Sequence, residues 1–96
     1  GGQAPTASLT NSGNRLVLSI SESYNITSST GSIWFTVDGT KVLFTGTNAG
    51  VGFIDAGADG KVSTGDYFTE KVAGTYLITV VWSSGGTNTV IAEGTL

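Results

Sequence analysis

Residues 75–82 read Thr-Tyr-Leu-Ile-Thr-Val-Val-Trp and form the longest apolar run of the chain. Successive side chains of a β-strand point to opposite faces of its sheet. The run therefore divides into two sets, with Tyr76, Ile78, Val80 and Trp82 on one face and Leu77 and Val81 on the other. Because both faces are apolar, the run predicts a central strand, with Trp82 at one edge of the core.

Further short runs of β-type sequence, separated by turn residues, lie on both sides of this strand. Together with it they predict strands over residues 6–10, 15–21, 33–37, 41–45, 51–54, 67–72, 75–82 and 87–92. Asp38-Gly39 between two of these runs is a strong hairpin signal, because both residues tolerate positive φ. In the last run, either Val90 and Ala92 or Thr89 and Ile91 would face the core.

The strand over residues 33–37 has a clear alternation. Ile33, Phe35 and Val37 would face inward, with Trp34 and Thr36 outward. No segment has a sustained apolar period of 3.6 residues, so no helix longer than two turns is expected. The pattern predicts an all-β fold, an antiparallel Ig-like β-sandwich of about 7–8 short strands or a small barrel. It would be one domain over residues 1–96, with residues 1–5 as a flexible lead-in.

The composition restricts the classes of function. The 96 residues include neither Cys nor His, and 4 basic and 7 acidic side chains give a net charge of −3. Nucleic acid is not expected as a partner, because its binding needs clustered Lys and Arg. We also expect no enzyme, since the usual general base and the best nucleophile are missing and no nucleophile–base pattern replaces them.

Only 11% of the residues are charged, so Thr, Ser, Asn and Gly must cover most of the surface. Hydroxyl-rich surfaces of low charge are typical of exported β proteins, which predicts an extracellular or cell-surface location. No run approaches the ~18 apolar residues of a membrane span. The chain opens with Gly1-Gly2 rather than Met, which suggests that a preceding segment has been removed.

The acidic stretch over residues 55–66, Asp-Ala-Gly-Ala-Asp-Gly-Lys-Val-Ser-Thr-Gly-Asp, has a spacing close to that of a twelve-residue calcium loop. The candidate ligands are the carboxylates of Asp55, Asp59 and Asp66, the backbone carbonyl of Lys61 and the oxygen of Ser63. Gly60 falls where the loop needs a sharp turn, whereas Gly57 replaces an expected ligand. Ca²⁺ is therefore the one candidate cofactor. The alternative is a Gly- and Asp-rich turn whose carboxylates accept backbone N–H groups.

Two other features have a functional and a structural interpretation. The rings of Trp34, Trp82, Tyr24, Tyr67 and Tyr76 would suit stacking on surface glycans, or ordinary packing across strands, which is the commoner role. Asn25-Ile26-Thr27 is the one N-glycosylation sequon, and it lies in a polar loop predicted over residues 24–32. Asn25 is therefore a candidate glycosylation site.

The chain from residue 5 to residue 96 resembles the globular head of an archaeal type IV pilin or pilin-like surface protein. The resemblance rests on Pro-Thr-Ala-Ser-Leu at 5–9, the strand at 16–20, Asp-Gly-Lys-Val-Ser-Thr-Gly-Asp-Tyr-Phe at 59–68, Ala-Gly-Thr-Tyr at 73–76, Val-Val-Trp-Ser-Ser-Gly-Gly-Thr at 80–87 and Val-Ile-Ala at 90–92. The acidic 55–66 stretch also resembles a dockerin-type calcium loop, although no helical pattern flanks it.

The pilin resemblance implies a structural subunit of a cell-surface filament. In that family an N-terminal hydrophobic helix packs into the filament core, and the β head, often glycosylated, forms the outer sheath. Other copies of the chain would then be its partners, and it would meet the membrane only through that helix, which is missing from this sequence. The head of an archaellum accessory protein and a calcium-stabilised adhesion module are the two alternatives.

Overall fold

The computed structural model describes residues 3–27 and 32–96, which form ten β-strands and no helix. The strands are β1 (Ala7–Ser12), β2 (Arg15–Ile20), β3 (Tyr24–Asn25), β4 (Ile33–Val37), β5 (Thr40–Val42), β6 (Val51–Ile54), β7 (Lys61–Val62), β8 (Tyr67–Glu70), β9 (Leu77–Ser84) and β10 (Thr87–Thr95). The predicted all-β class is confirmed. Nothing in this part of the chain is a helix able to cross a membrane.

Eight of the strands form two four-stranded antiparallel sheets, ordered β1-β2-β8-β6 and β10-β9-β4-β5. The other two, β3 and β7, pair as a separate antiparallel ribbon. Lettered in chain order as A, B, C, C′, D, E, F and G, the eight strands make the sheets A-B-E-D and G-F-C-C′. That is the strand order of an immunoglobulin-like sandwich, in agreement with the fold predicted from the sequence.

Strand β9 has the central place predicted for residues 75–82, because β10 pairs with one of its edges and β4 with the other. The predicted hairpin between β4 and β5 is confirmed, with φ of 50° at Asp38 and 88° at Gly39. A second hairpin turns β9 into β10 at Gly85 and Gly86, which also have positive φ. Two consecutive residues with positive φ give the turn whose twist matches that of the flanking strands.

The core lies between the two sheets. From β4 it takes Ile33, Phe35 and Val37, as predicted, and their partners in β9 are Trp82, Val80 and Ile78. Phe35 of one sheet meets Phe68 of the other with 4.9 Å between their ring centroids, and Phe44 and Phe53 complete this aromatic cluster. The tilted rings therefore join the two sheets directly.

A tyrosine corner fixes the connection from β8 to β9. Tyr76 immediately precedes β9, and its hydroxyl donates a 2.7 Å hydrogen bond to the carbonyl of Val72. The ring lies against two glycines: a Cβ at Gly50 would be 2.6 Å from Tyr76 Cε1, and one at Gly74 would be 3.0 Å from Tyr76 Oη. Such a corner is a hallmark of Ig-like sandwiches. The glycines provide the space that the ring needs.

Several predicted boundaries are wrong. The strand predicted over residues 41–45 ends at Val42, because a turn follows in which Gly46 N–H donates to the Leu43 carbonyl at 2.8 Å. The loop predicted over residues 24–32 begins with β3, and its residues 28–31 lie outside the described part. The acidic stretch contains β7. Pro5, the last residue of the predicted lead-in, is buried, and Thr6, predicted to begin the first strand, precedes β1 and donates its N–H to Ser21 Oγ.

A β-bulge in β10 determines which side chains of this strand face the core, which the sequence left open. Val90 pairs with Val81, whereas Ala92 pairs with the adjacent Val80, so Ile91 is the extra residue. Ala92 is consequently buried against the core, and Val90 lies on the outer face with 57% of its surface exposed. Neither predicted alternation holds along the whole strand, because the bulge changes the facing of the side chains.

We predict that Gly50→Ala lowers the free energy of unfolding by about 1–3 kcal/mol, because the new methyl group overlaps the Tyr76 ring. Urea unfolding followed by tryptophan fluorescence measures the change. Gly52→Ala is the matched control, since its Cβ would meet only the flexible Lys71 side chain, at 3.4 Å. Equal effects of the two substitutions would contradict this account of the corner.

Candidate functional site

The predicted calcium loop connects β6 to β8, which are neighbours in the first sheet. Asp55 directly follows β6, Asp66 directly precedes β8, and the adjoining Ile54 and Tyr67 are cross-strand partners. Antiparallel pairing thus places the first and last carboxylates of the stretch at the same end of the sheet. The residues between them fold back over that end and include β7.

Asp66 is the buried member of the group, with 1% of its surface exposed. Its Oδ1 accepts a 3.0 Å hydrogen bond from Ala56 N–H, and its Oδ2 accepts a 2.8 Å bond from Ser63 N–H. The Ser63 hydroxyl is 3.4 Å from the same Oδ2. One carboxylate therefore holds together both ends of the loop.

Asp55 and Asp59 accept hydrogen bonds closer to the surface. Asp55 Oδ2 accepts from Gly60 N–H at 2.8 Å, and Asp59 Oδ1 accepts from Lys61 N–H at 3.0 Å. The other Asp55 oxygen, Oδ1, is buried without a hydrogen-bond partner. Gly60 has φ of 74°, in keeping with the sharp turn predicted there.

The structure brings some of the five candidate ligands together and separates others. Asp66 is buried, and Asp55 and Ser63 are half-buried, whereas Asp59 and Lys61 are exposed. Lys61 belongs to β7 and pairs with Asn25 of β3. In the described residues, no group of three or more Asp, Glu, His or Cys side chains is arranged to hold a metal ion. All three loop carboxylates accept backbone N–H groups, as the turn interpretation expects.

Burial raises the pKa of the Asp66 carboxyl above its ordinary value, by taking its charged form out of water. The N–H groups of Ser63 and Ala56 lower this pKa, and the negative charges of Asp55 and Asp59 raise it. Burial is the largest of these effects.

The candidate glycosylation site lies beside this loop, which the sequence did not indicate. Asn25 is exposed in β3, and the next residue, Ile26, donates its N–H to the Gly60 carbonyl at 2.9 Å. A strand of two residues has too few positions to show an alternation of side chains, so the sequence pattern did not predict β3 or β7. The β3–β7 ribbon therefore joins the sequon to the acidic stretch.

Four of the five aromatic rings proposed for glycan stacking have partners within the chain, and the fifth, Trp82, is a side-chain hydrogen-bond partner of Tyr24. Trp34 points to the outer face of its sheet, as predicted, yet only 7% of its surface is exposed, and Lys41 Nζ lies 3.9 Å from its ring centroid. Arg15 covers Tyr67 in the same way, at 4.2 Å. Tyr76 forms the corner described above, and Tyr24 donates its hydroxyl to Glu22. Packing therefore accounts for these four rings.

Comparison with protein-family models, with curated proteins and with solved structures finds no match to the chain.

We predict that Asp66→Asn lowers stability by about 1–3 kcal/mol at neutral pH, because one buried N–H group loses its acceptor. Asp59→Asn is the matched control, since Asp59 is exposed and holds a single N–H group. Its expected effect is below about 0.5 kcal/mol. Comparable losses in the two variants would mean that burial of Asp66 does not set its importance.

The difference in stability between wild type and Asp66→Asn should depend on pH. A carboxyl whose pKa is raised on folding binds its proton more tightly in the folded state, so its contribution to stability grows as the pH falls. The contribution is complete below the ordinary value of 3.8 and is lost as the pH rises through the raised pKa. We therefore expect the advantage of wild type over Asp66→Asn to be larger at about pH 4 than at about pH 7. A smaller advantage at the acidic pH would contradict the raised pKa.

Proposed function

We propose that this domain is the β head of a subunit of an extracellular pilus-like filament, of the archaeal type IV pilin kind, and that it packs against other copies of itself. The proposal starts from the sequence resemblance described above. The observation that carries it is how the few charged side chains are used. Most of them have partners within the chain, and hydroxyl and amide groups make up much of the other exposed polar surface.

Five of the seven acidic side chains accept hydrogen bonds from the chain itself: Glu22 from Tyr24, Asp38 from Leu77, Asp55 from Gly60, Asp59 from Lys61, and Asp66 from Ala56 and Ser63. Of the four basic side chains, Arg15 and Lys41 lie over aromatic rings. A hydrogen bond does not remove the charge of a carboxylate, but it fixes where that charge lies, and only 11% of the residues are charged, so two copies can meet on uncharged surface. A head that packs beside many copies of itself benefits from this arrangement, because like charges across a contact are costly.

The exposed polar residues suit the same role. Thr10, Asn11 and Ser12 at the end of β1 and Thr87, Asn88 and Thr89 at the start of β10 are all exposed. Hydroxyl and amide groups can form hydrogen bonds with a neighbour or with water at little desolvation cost. The sequon at Asn25 is also exposed, which suits the outer surface of a filament that carries glycans. The head of an archaellum accessory protein would use these features in the same way.

A calcium-stabilised adhesion module is the second candidate function. The buried Asp55 Oδ1 favours it, since this is the one side-chain oxygen or nitrogen among the described residues that is buried without a hydrogen-bond partner. Carboxylate oxygen is the ligand type that Ca²⁺ prefers. Asp55, Ser63 and Asp66 would contribute the inner oxygens, and Asp59 and the Lys61 carbonyl would complete the site from outside.

The filament proposal is tested first in the gene, upstream of the codon for Gly1. We expect an uninterrupted run of about 20 apolar residues after a short basic leader, long enough to span a bilayer. Antibodies raised against this domain should then label filaments on intact cells in electron micrographs. A cleaved signal peptide directly before Gly1, or a catalytic domain in its place, would contradict the proposal and favour the adhesion module.

The calcium proposal predicts that 10 mM CaCl₂ raises the melting temperature relative to excess chelator. A site of extracellular-type affinity, about 10⁻⁴–10⁻³ M, would add about 1.4–2.7 kcal/mol at that concentration. For a domain of this size the shift is about 6 °C or more. Asp55→Asn should abolish the shift, and 10 mM MgCl₂ is the control for ionic effects. An unchanged melting temperature in calcium would exclude the site.

A further inference from the structure

One long sheet edge is open along half of its length. Strand β10 ends the sheet β10-β9-β4-β5 and is hydrogen-bonded along one side to β9. Its C-terminal half lies against β1, where Asn11 Nδ2 donates to the Thr95 carbonyl at 2.9 Å and a Cβ on Gly94 would be 3.1 Å from Leu9 Cβ. Its first four residues, 87–90, are all exposed. In the described part of the chain, no hydrogen bond joins these four residues to an element other than β9.

This open segment has little of the usual protection of an edge strand. Natural edges are blocked by charged side chains, by Pro, by very short strands or by β-bulges, and here only the bulge at Ile91 interrupts the segment, at its C-terminal end. Residues 87–92 read Thr-Asn-Thr-Val-Ile-Ala, without charge or Pro, and three of the first five are β-branched Thr or Val. The edge strands at the other side of the sandwich are shorter: β5 has three residues and carries Lys41, and β6 has four and is followed by Asp55.

An apolar row leads across the outer face of the sheet to this edge. Trp34 of β4 pairs with Val81 of β9, and Val81 pairs with Val90 of β10. All three side chains lie opposite the core, and the row is covered by Lys41 at the Trp34 end. Trp34 and Val81 are each 7% exposed, whereas Val90 is 57% exposed. The row thus ends at the open edge on a side chain that is not covered.

We propose that residues 87–91 pair antiparallel with the same segment of a second copy of this chain, across a two-fold axis. The two four-stranded sheets would then join into one continuous sheet. The inference rests on the proposed contact between copies. Because a two-fold contact closes on itself, it would join heads in pairs, as between two neighbouring filaments, and would not itself build a filament. Strand addition of this kind takes its affinity from main-chain hydrogen bonds.

A second copy fits this edge better than another partner for two reasons. An interface about a two-fold axis is self-complementary, so the apolar row of one copy leads to the row of the other through the two Val90 side chains, which are diagonal neighbours across the axis at Thr89. The chain has a net charge of −3, and the uncharged segment lets two copies approach without opposing like charges. A short strand pair buries a small area, so we expect a weak association.

Sedimentation equilibrium of the purified 96-residue chain up to about 1 mM tests the proposal, since small interfaces are weak. Val90→Lys places an ammonium group one residue from the two-fold axis, which passes through Thr89 of the paired segments, and should weaken association at least 10-fold. Val72→Lys is the matched control, because Val72 is also 57% exposed but lies outside β10. It should leave the association constant unchanged. Urea unfolding confirms that both variants are folded.

A charge exchange distinguishes a specific contact from general insolubility. Val90→Lys and Val90→Glu should each be monomeric alone, because the two-fold axis brings like charges together. An equimolar mixture of the two should associate again as a heterodimer, because opposite charges then face each other. Amide hydrogen exchange within residues 87–91 should slow in the wild-type protein as its concentration rises.

The outcomes separate this inference from the proposed function. Association that is lost in Val90→Lys, kept in Val72→Lys and recovered in the mixture supports the contact. Association that is equal in the wild type and both Lys variants overturns the β10 contact and leaves the filament role standing, with another surface as the contact. A monomer at every concentration overturns the contact as well. The upstream gene sequence tests the filament role independently of all three results.

Discussion

The contact between Phe35 and Phe68 is the interaction on which the sandwich depends. The chain has no Cys, so side-chain packing must hold two separate sheets together. Phe35 is central in one sheet and Phe68 in the other, and both are fully or almost fully buried. Tilted ring pairs contribute more stabilisation than the burial of their area alone. Phe44 and Phe53 extend the same cluster towards β5 and β6. The two sheets joined by this core determine where each surface loop begins and ends.

The loops are held by a different kind of interaction, the acceptance of backbone N–H groups by side-chain oxygens. Asp66 does this at the end of the first sheet and Asp38 at the β4–β5 hairpin, where it accepts from Leu77 N–H at 2.9 Å. At the β8–β9 corner the roles are reversed, and the Tyr76 hydroxyl donates to a carbonyl. Backbone groups that the sheets leave unpaired are satisfied in this way.

The sequence predicted the parts of the fold in which side chains alternate regularly between the two faces of a strand. The alternation in β4 and β9, together with the Asp38-Gly39 turn, was sufficient to predict these strands and their hairpin, because each side chain there has a defined face. The β3–β7 ribbon was missed, since two residues cannot show an alternation. The spacing of the acidic stretch made Asp66 a candidate ligand, whereas the burial of Asp66 depends on how β6 and β8 pair. The cover that Lys41 gives to Trp34 likewise depends on a neighbouring strand and leaves no local pattern.

The bulge in β10 also determines where the chain tolerates a change of length. Loss of one residue within a regular strand moves every following side chain to the opposite face of the sheet. Ile91 has no partner of its own in β9, and the residues on both sides of it already pair with adjacent positions of that strand. Deletion of Ile91 would cost the packing of its side chain but keep Val90 outside and Ala92 inside. Insertions and deletions among homologous chains are therefore more compatible with the fold at this position than elsewhere in the same strand.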